Sequence, residues 1–439
     1  MTQRSAFQLI SALVVGASAC FGQVDLTILH LFPFGGPSAP ECTLVETSPG
    51  VFYGTTSTGS GSAGTLFRVT SDGSFAVMHT FDAGTEGASP VGALVQGFDG
   101  KLYGVASQGG GEGNGTIFRS NLRGDVEVLH DVSSGTPYSL IQAANGALYG
   151  TTSGGEGAYR LSSSGHPQTI HAFTGAEGSP VGPLTQASDG NFYGVTSVGI
   201  YRLTPGGAFQ MLHPFSGLDG SSPVGNLAQS RDGRLYGVNA FGGAHNFGTV
   251  YSISLAGGFR VDHAFTGGAD FGYPLTGTAR ANDGFVYGAT GLGPGQVFRV
   301  GGGTYEVVVT LPSTMPGGNP NFPSPAVVQG SDGKLYGVQT TFGGSVYSLD
   351  VGLTPPLPRA GRLTPNAGPV GTKVAVFGVH LLGATNVAFN GVPAPFVVGS
   401  GNVIYASVPA GATSGPITVA TPNGIAQTRE PFEVTASGN

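Results

Sequence analysis

Short runs in which apolar and polar residues alternate, separated by glycine-bearing turns, recur along most of this chain. The stretch 91–132 shows one full unit: "VGALVQG", "KLYGVAS", "GTIFRS" and "VEVLHDV". Alternation with a period of two predicts half-buried β-strands, because successive side chains point to opposite faces. Asp99-Gly100 predicts a hairpin between the first two strands, and a turn near Gly124 joins the last two. The unit repeats. Its Tyr-Gly pair falls at Tyr53, Tyr103, Tyr149, Tyr193, Tyr236, Tyr287 and Tyr336, at spacings of 50, 46, 44, 43, 51 and 49 residues. Asp-Gly marks the first hairpin in copies two, four, five, six and seven, and Asn145-Gly146 in the third.

The ends of the array constrain the architecture. The last copy stops after "GSVYSLDVG" (344–352) without a fourth strand. An orphan segment before the first copy, "LTILHLF" (26–32), matches the fourth-strand pattern of "FAVMHTF", "PQTIHAF" and "FQMLHPF". The orphan is therefore expected to complete the final sheet. Seven four-stranded units joined in this way predict a seven-bladed β-propeller closed by its N-terminal strand. Alternation places Tyr103 and Val105 on one face and Leu102 and Gly104 on the other. A second aromatic per copy (Phe67, Phe118, Tyr159, Tyr201, Tyr251, Phe298, Tyr347) is expected in the core, with large rings entering the space left by glycines of a neighbouring blade.

The pattern "LYG-(T/V)-(T/A)-S…GG…GT(V/I/L)F", followed by a turn and "LHxF", resembles the GloVer tandem repeat of secreted bacterial proteins. The resemblance covers about residues 26–352 and brings no catalytic residues with it. After a Pro-rich linker (353–361) the repeat vanishes. Residues 362–436 hold regularly spaced short strands that predict an immunoglobulin-like β-sandwich. "LTPNAGPVGTKVAVFG", "NVAFNGVPAPF" and "VPAGATSGPITVATPNG" resemble the IPT/TIG domain, which implies a spacer or interaction module. His380 is expected at its surface.

Composition narrows the partners. Charged residues are 9% of the chain and the formal net charge is −7, a poor basis for nucleic-acid binding. "MTQRSAFQLISALVVGASACFGQ" has the charge, apolar run and small residues of a secretory leader ending near residue 22. Secretion is the expectation, with lipoprotein anchoring through Cys20 as the alternative. No other segment is long enough to span a membrane as a helix. With only Cys20 and Cys42, disulfides are not expected to hold the fold.

Candidate chemistry is sparse. His30, His79, His130, His171, His213 and His263 share one fourth-strand position, occupied by Val309 in the sixth copy. Outer positions on successive blades diverge, so these rings cannot converge on one metal ion. They are expected to be buried, neutral and hydrogen-bonded, and to make the fold sensitive to acid. Three residues before the first hairpin stand Glu46, Gln96, Gln142, Gln186, Gln229, Arg280 and Gln329. Beside a central channel they either satisfy inner-edge backbone groups or hold a ligand. Glu86, Glu177, Asp219 and Asp270 precede prolines in the loops between copies, either as turn caps or as an acidic rim. Phe241, His245, Phe247, Phe271, Tyr273 and Phe322 lie on loops of copies five to seven and are candidates to stack on sugar rings or grip a protein. "GSGSAG" (59–64) opens a strand, not a helix, and is read as a chance match to a dinucleotide motif. No catalytic motif, metal set or cofactor site emerges. The expected role is non-catalytic binding or scaffolding outside the cell, toward a glycan or a surface protein. The alternatives are a propeller-fold polysaccharide lyase or hydrolase and a purely structural surface component.

Overall fold

The computed structural model describes residues 11–13, 24–33, 38–58, 63–162, 164–275, 277–291, 295–311, 323–340 and 344–436. Phe322, Cys20 and most of the leader lie outside them. The described residues are all-β, with no helix. Up to Asp350 they form seven antiparallel sheets, each holding four consecutive repeat strands in the order of the chain or its mirror, with one exception. In that exception Asp25–Leu31 pairs antiparallel with Ser345–Asp350, Leu26 opposite Leu349 and Ile28 opposite Tyr347. The orphan strand thus completes the final sheet. Ser11–Leu13 adds a short fifth strand outside it.

The Tyr-Gly pair builds the core. Each Tyr of the second strand is at most 9% exposed, and the third-strand aromatics are fully buried. Alternation divides each strand between two faces, so every sheet is apolar on both sides and must be covered twice. Tyr53 and Leu66 pack with Leu102 and Phe118 of the next sheet, and the pattern continues sheet by sheet. The final sheet packs on the first through Tyr336, Val338 and Val346 against Phe52 and Phe67. There Tyr336 stacks on Phe52 with centroids 4.1 Å apart.

The glycine of the pair acts inside its own sheet, which corrects the expectation of a neighbour's ring entering its space. Gly104 lies opposite Phe118 on the adjacent strand, and a Cβ there would stand 2.6 Å from the Phe118 ring. The third-strand aromatic thus occupies the space that a side chain at its own sheet's glycine would take.

The hairpin aspartate ties turn to core. Asp232 Oδ1 accepts from the Arg234 N–H at 3.0 Å, while Oδ2 accepts from the Tyr236 hydroxyl at 2.7 Å. The same pair of bonds recurs at Asp99, Asp189, Asp283 and Asp332. In the third copy Asn145 Oδ1 accepts from the Ala147 N–H in the same way, but the second bond is reversed, Nδ2 donating to the Tyr149 hydroxyl at 3.0 Å. Burial, then the Asp232 hydrogen bond and charge, pushes the Tyr236 hydroxyl up to about 12. The first copy has Pro49 at this position, and Tyr53 donates instead to the Leu122 carbonyl of the next sheet.

Residues 359–434 form two four-stranded sheets and a two-stranded parallel pair. The sheets share one apolar core that includes Val374, Val376, Phe389, Ile404, Val419 and Phe432. This module docks on the end of the repeat array that carries the first hairpins. Tyr405 donates to the Phe98 carbonyl at 2.9 Å, Phe377 packs on Phe98, and Asn423 donates to the Ser331 carbonyl at 2.7 Å. Leu353, in the segment expected to be a linker, packs against the core between the sixth and seventh sheets.

Candidate functional site

The repeated histidine is a clasp between sheets. His213 lies flat on Phe259 of the next sheet, centroids 3.7 Å apart and planes 5° from parallel. His30 on Phe75, His171 on Phe209 and His263 on Tyr305 do the same. Five of the six rings also direct Nε2 at a carboxylate: His79 at Glu86, His130 at Glu156, His171 at Glu177, His213 at Asp219 and His263 at Asp270. Their side chains keep 16–23% exposure, so they are hydrogen-bonded but only partly buried, where the sequence led us to expect burial. His30 alone of the six has no such carboxylate among the described residues, and burial lowers its ring to about 4. Four of these carboxylates are the loop acids singled out in the sequence, and each also caps its own turn. Asp219, for example, accepts from the Ser216 N–H and hydroxyl. Burial works to raise the Asp219 carboxyl, but the donors from Ser216 and His213 outweigh it and hold it low. Glu177 and Asp270 are held low in the same way, with donors from Thr174 and His171 and from Thr266 and His263. Glu156 comes from the neighbouring sheet and carries no local sequence signal.

The glutamine register forms a seam between hairpins. Gln186, Gln229 and Gln329 each donate through Nε2 to the carbonyl of their own turn glycine, and each accepts through Oε1 from the hairpin of the preceding sheet. Glu46 makes the corresponding bond between the first sheet and the last, accepting from the Ser331 N–H at 2.8 Å. Gln96 and Gln142 donate to their own turns, but their Oε1 atoms are buried without a partner. Arg280 stands exposed in the same register.

At the opposite end of the sheets, two loops meet. Phe241 closes the strand Leu235–Phe241, Phe247 follows it, and Tyr273 belongs to the loop joining the fifth sheet to the sixth. The Tyr273 ring contacts both: centroids lie 5.3 Å from Phe241 and 5.4 Å from Phe247. The Tyr273 N–H donates to the Phe247 carbonyl at 2.8 Å. Phe241 is 44% exposed, and Phe271 and Tyr273 hold φ values of 54° and 49°, unusual for aromatic residues. His245 is exposed beside them. Of the expected site residues, the structure thus joins Phe241, Phe247 and Tyr273 in one patch. Glu86, Glu177 and Asp219 are distributed over the loops of other sheets. Among the described residues no group of His, Cys, Asp or Glu is arranged to hold a metal ion.

Sheets braced by repeated Tyr-Gly, His and Gln positions define a propeller-like all-β repeat protein. The chain belongs to the Gloeobacter/Verrucomicrobia repeat family, which it matches over residues 19–199 and 156–349. No curated protein matches it. Among solved structures it is similar to a streptogramin B lyase, with a TM-score of 0.58 and 15% identity over 75% of this chain and 98% of that one. It is also similar to virginiamycin B lyase from Staphylococcus aureus, with a TM-score of 0.56 and 14% identity over 74% of this chain and 99% of that one. At such identities the likeness concerns the fold. Among the described residues no helix is long and apolar enough to cross a membrane.

Proposed function

We propose that this is a secreted, non-catalytic binding protein: a seven-bladed propeller closed by its N-terminal strand, followed by an immunoglobulin-like module of the IPT/TIG kind. The Asp25–Leu31 pairing, the Glu46–Ser331 bond and the core shared by first and last sheets support closure. The ligand surface is the loop end of the fifth and sixth sheets. The observation that carries this reading is the convergence of Phe241, Phe247 and Tyr273 from two loops, with Phe241 left open to solvent. Aromatic faces of this kind suit the apolar face of a sugar ring or a side chain of a protein partner. The non-catalytic part of the reading rests on commitment: the repeated histidines and loop acids bond one another and their turns, leaving little free acid–base capacity there.

A glycan-array screen of the full chain beside Phe241→Ala and Tyr273→Ala tests the site. Binding lost in both variants, with unchanged melting, supports it. Binding unaffected by either variant, or turnover of a bound glycan, overturns the reading.

A further inference from the structure

We propose a second ligand site, for an acidic oligosaccharide, in the cleft between the C-terminal module and the hairpin end of the repeat array. A cavity of about 1000 Å³ lies there. It is bounded on the module side by Arg359, Arg362 and Arg429, and on the array side by Gln142. The whole chain has only 17 lysines and arginines together and a net charge of −7. Three guanidinium groups around one space therefore concentrate positive charge where the molecule otherwise carries little. Arg359 and Arg429 have no ion pair among the described residues. Arg362 is held in place, donating to the Ala144 carbonyl at 3.2 Å with its guanidinium 4.5 Å from the Phe377 ring centroid. One carboxylate, Glu430, shares the lining.

The remaining lining selects among anions. Asn402, exposed and on the same lining, supplies a side-chain amide that can pair with a ligand hydroxyl. Val379, 41% exposed, and Ala360 supply apolar surface against which a sugar ring can lie. A second cavity of about 510 Å³ shares Phe98, Gln142 and Asn145 as walls; its lining holds Arg160, an exposed cation with no ion pair among the described residues, and one carboxylate, Asp99, which accepts from the Tyr103 hydroxyl. Carboxylates for the arginines, hydroxyls for the amide and an extended shape together describe a short oligomer of uronic acids. A compact inorganic anion would use the arginines and leave the amide and apolar walls unmet.

The test is calorimetric titration of the full chain with a galacturonate tetramer, a neutral maltose-type tetramer and inorganic phosphate. The site predicts binding of the acidic tetramer that weakens as salt is raised, with no binding of the neutral one. Both Arg359→Gln and Arg429→Gln alter exposed side chains, so folding should persist, and each should weaken binding about tenfold or more. Asn402→Leu should weaken it without changing the salt dependence. Phe241→Ala, at the opposite end, should leave it intact, which separates this site from the loop-end reading. No binding of the acidic tetramer, equal binding of phosphate, or unchanged affinity in both arginine variants overturns the proposal.

Discussion

Adding a single methyl group tests the repeat's core most simply. Gly237 pairs across the sheet with Tyr251, and a Cβ there would meet Tyr251 Oη at 2.5 Å, Tyr251 Cζ at 2.6 Å and Leu227 Cδ2 at 2.6 Å. Carbon atoms prefer separations of roughly 3.5–4 Å, and Tyr251 and Leu227 are 0% and 1% exposed, so neither has room to retreat. Overpacking of this kind costs about 1–3 kcal/mol, against a gain of roughly 0.5–1 kcal/mol from replacing a strand glycine by alanine. Gly237→Ala should therefore destabilise by about 1–2 kcal/mol. Tyr251→Phe should behave oppositely. Its hydroxyl is buried with no partner, and Phe67, Phe118 and Phe298 occupy the same position in other copies, so the variant should be neutral or more stable by up to about 1 kcal/mol. Removing Oη also removes the shortest clash, and the double variant should recover part of the Gly237→Ala loss. Urea midpoints at constant slope measure all three. If Gly237→Ala matches or exceeds the parent, the packing argument fails.

Acid should loosen the fold in two stages. The His30 ring falls from 6.5 to about 4 on folding. A lowered folded value gives stability that is complete above pH 6.5 and lost as pH falls toward 4. The shift corresponds to roughly 3 kcal/mol, reduced to about 1–2 kcal/mol by solvent screening at this half-buried ring. His30→Phe should flatten urea midpoints between pH 6.5 and 4.5, and an unchanged slope there would contradict the assignment. Glu177, Asp219 and Asp270, held below their usual range, add stability present above their unfolded values and lost on further acidification. At the clasp, a double-mutant cycle between His213→Ala and Phe259→Ala should give a coupling of about 0.5–1.5 kcal/mol, whereas strict additivity would deny the stacking a role.

What could be read from the chain was what lies within one repeat. Alternation gave the faces of the Tyr-Gly strand, and the match of 26–32 to other fourth strands gave its pairing with Ser345–Asp350. Both signals are local and repeated. Relations between sheets were harder to read. Gln186 accepting from Ala144, or His213 lying on Phe259, depends on how two sheets are offset, which no single repeat encodes. The His130 partner Glu156 is a one-off replacement for an acid missing from its own turn. Docking of the module through Phe98, Phe377 and Tyr405 rests on isolated residues outside any pattern. The aromatic loop residues could be nominated because they interrupt the repeat, but which of them meet depended on the fold of two separate loops.

Native-state hydrogen exchange on the Asp25–Leu31 amides tests the closing of the ring most directly. The account predicts that they exchange together with Ser345–Asp350 and only on global opening. Exchange at the rate of a free terminal segment, while Ser345–Asp350 stays protected, would contradict it.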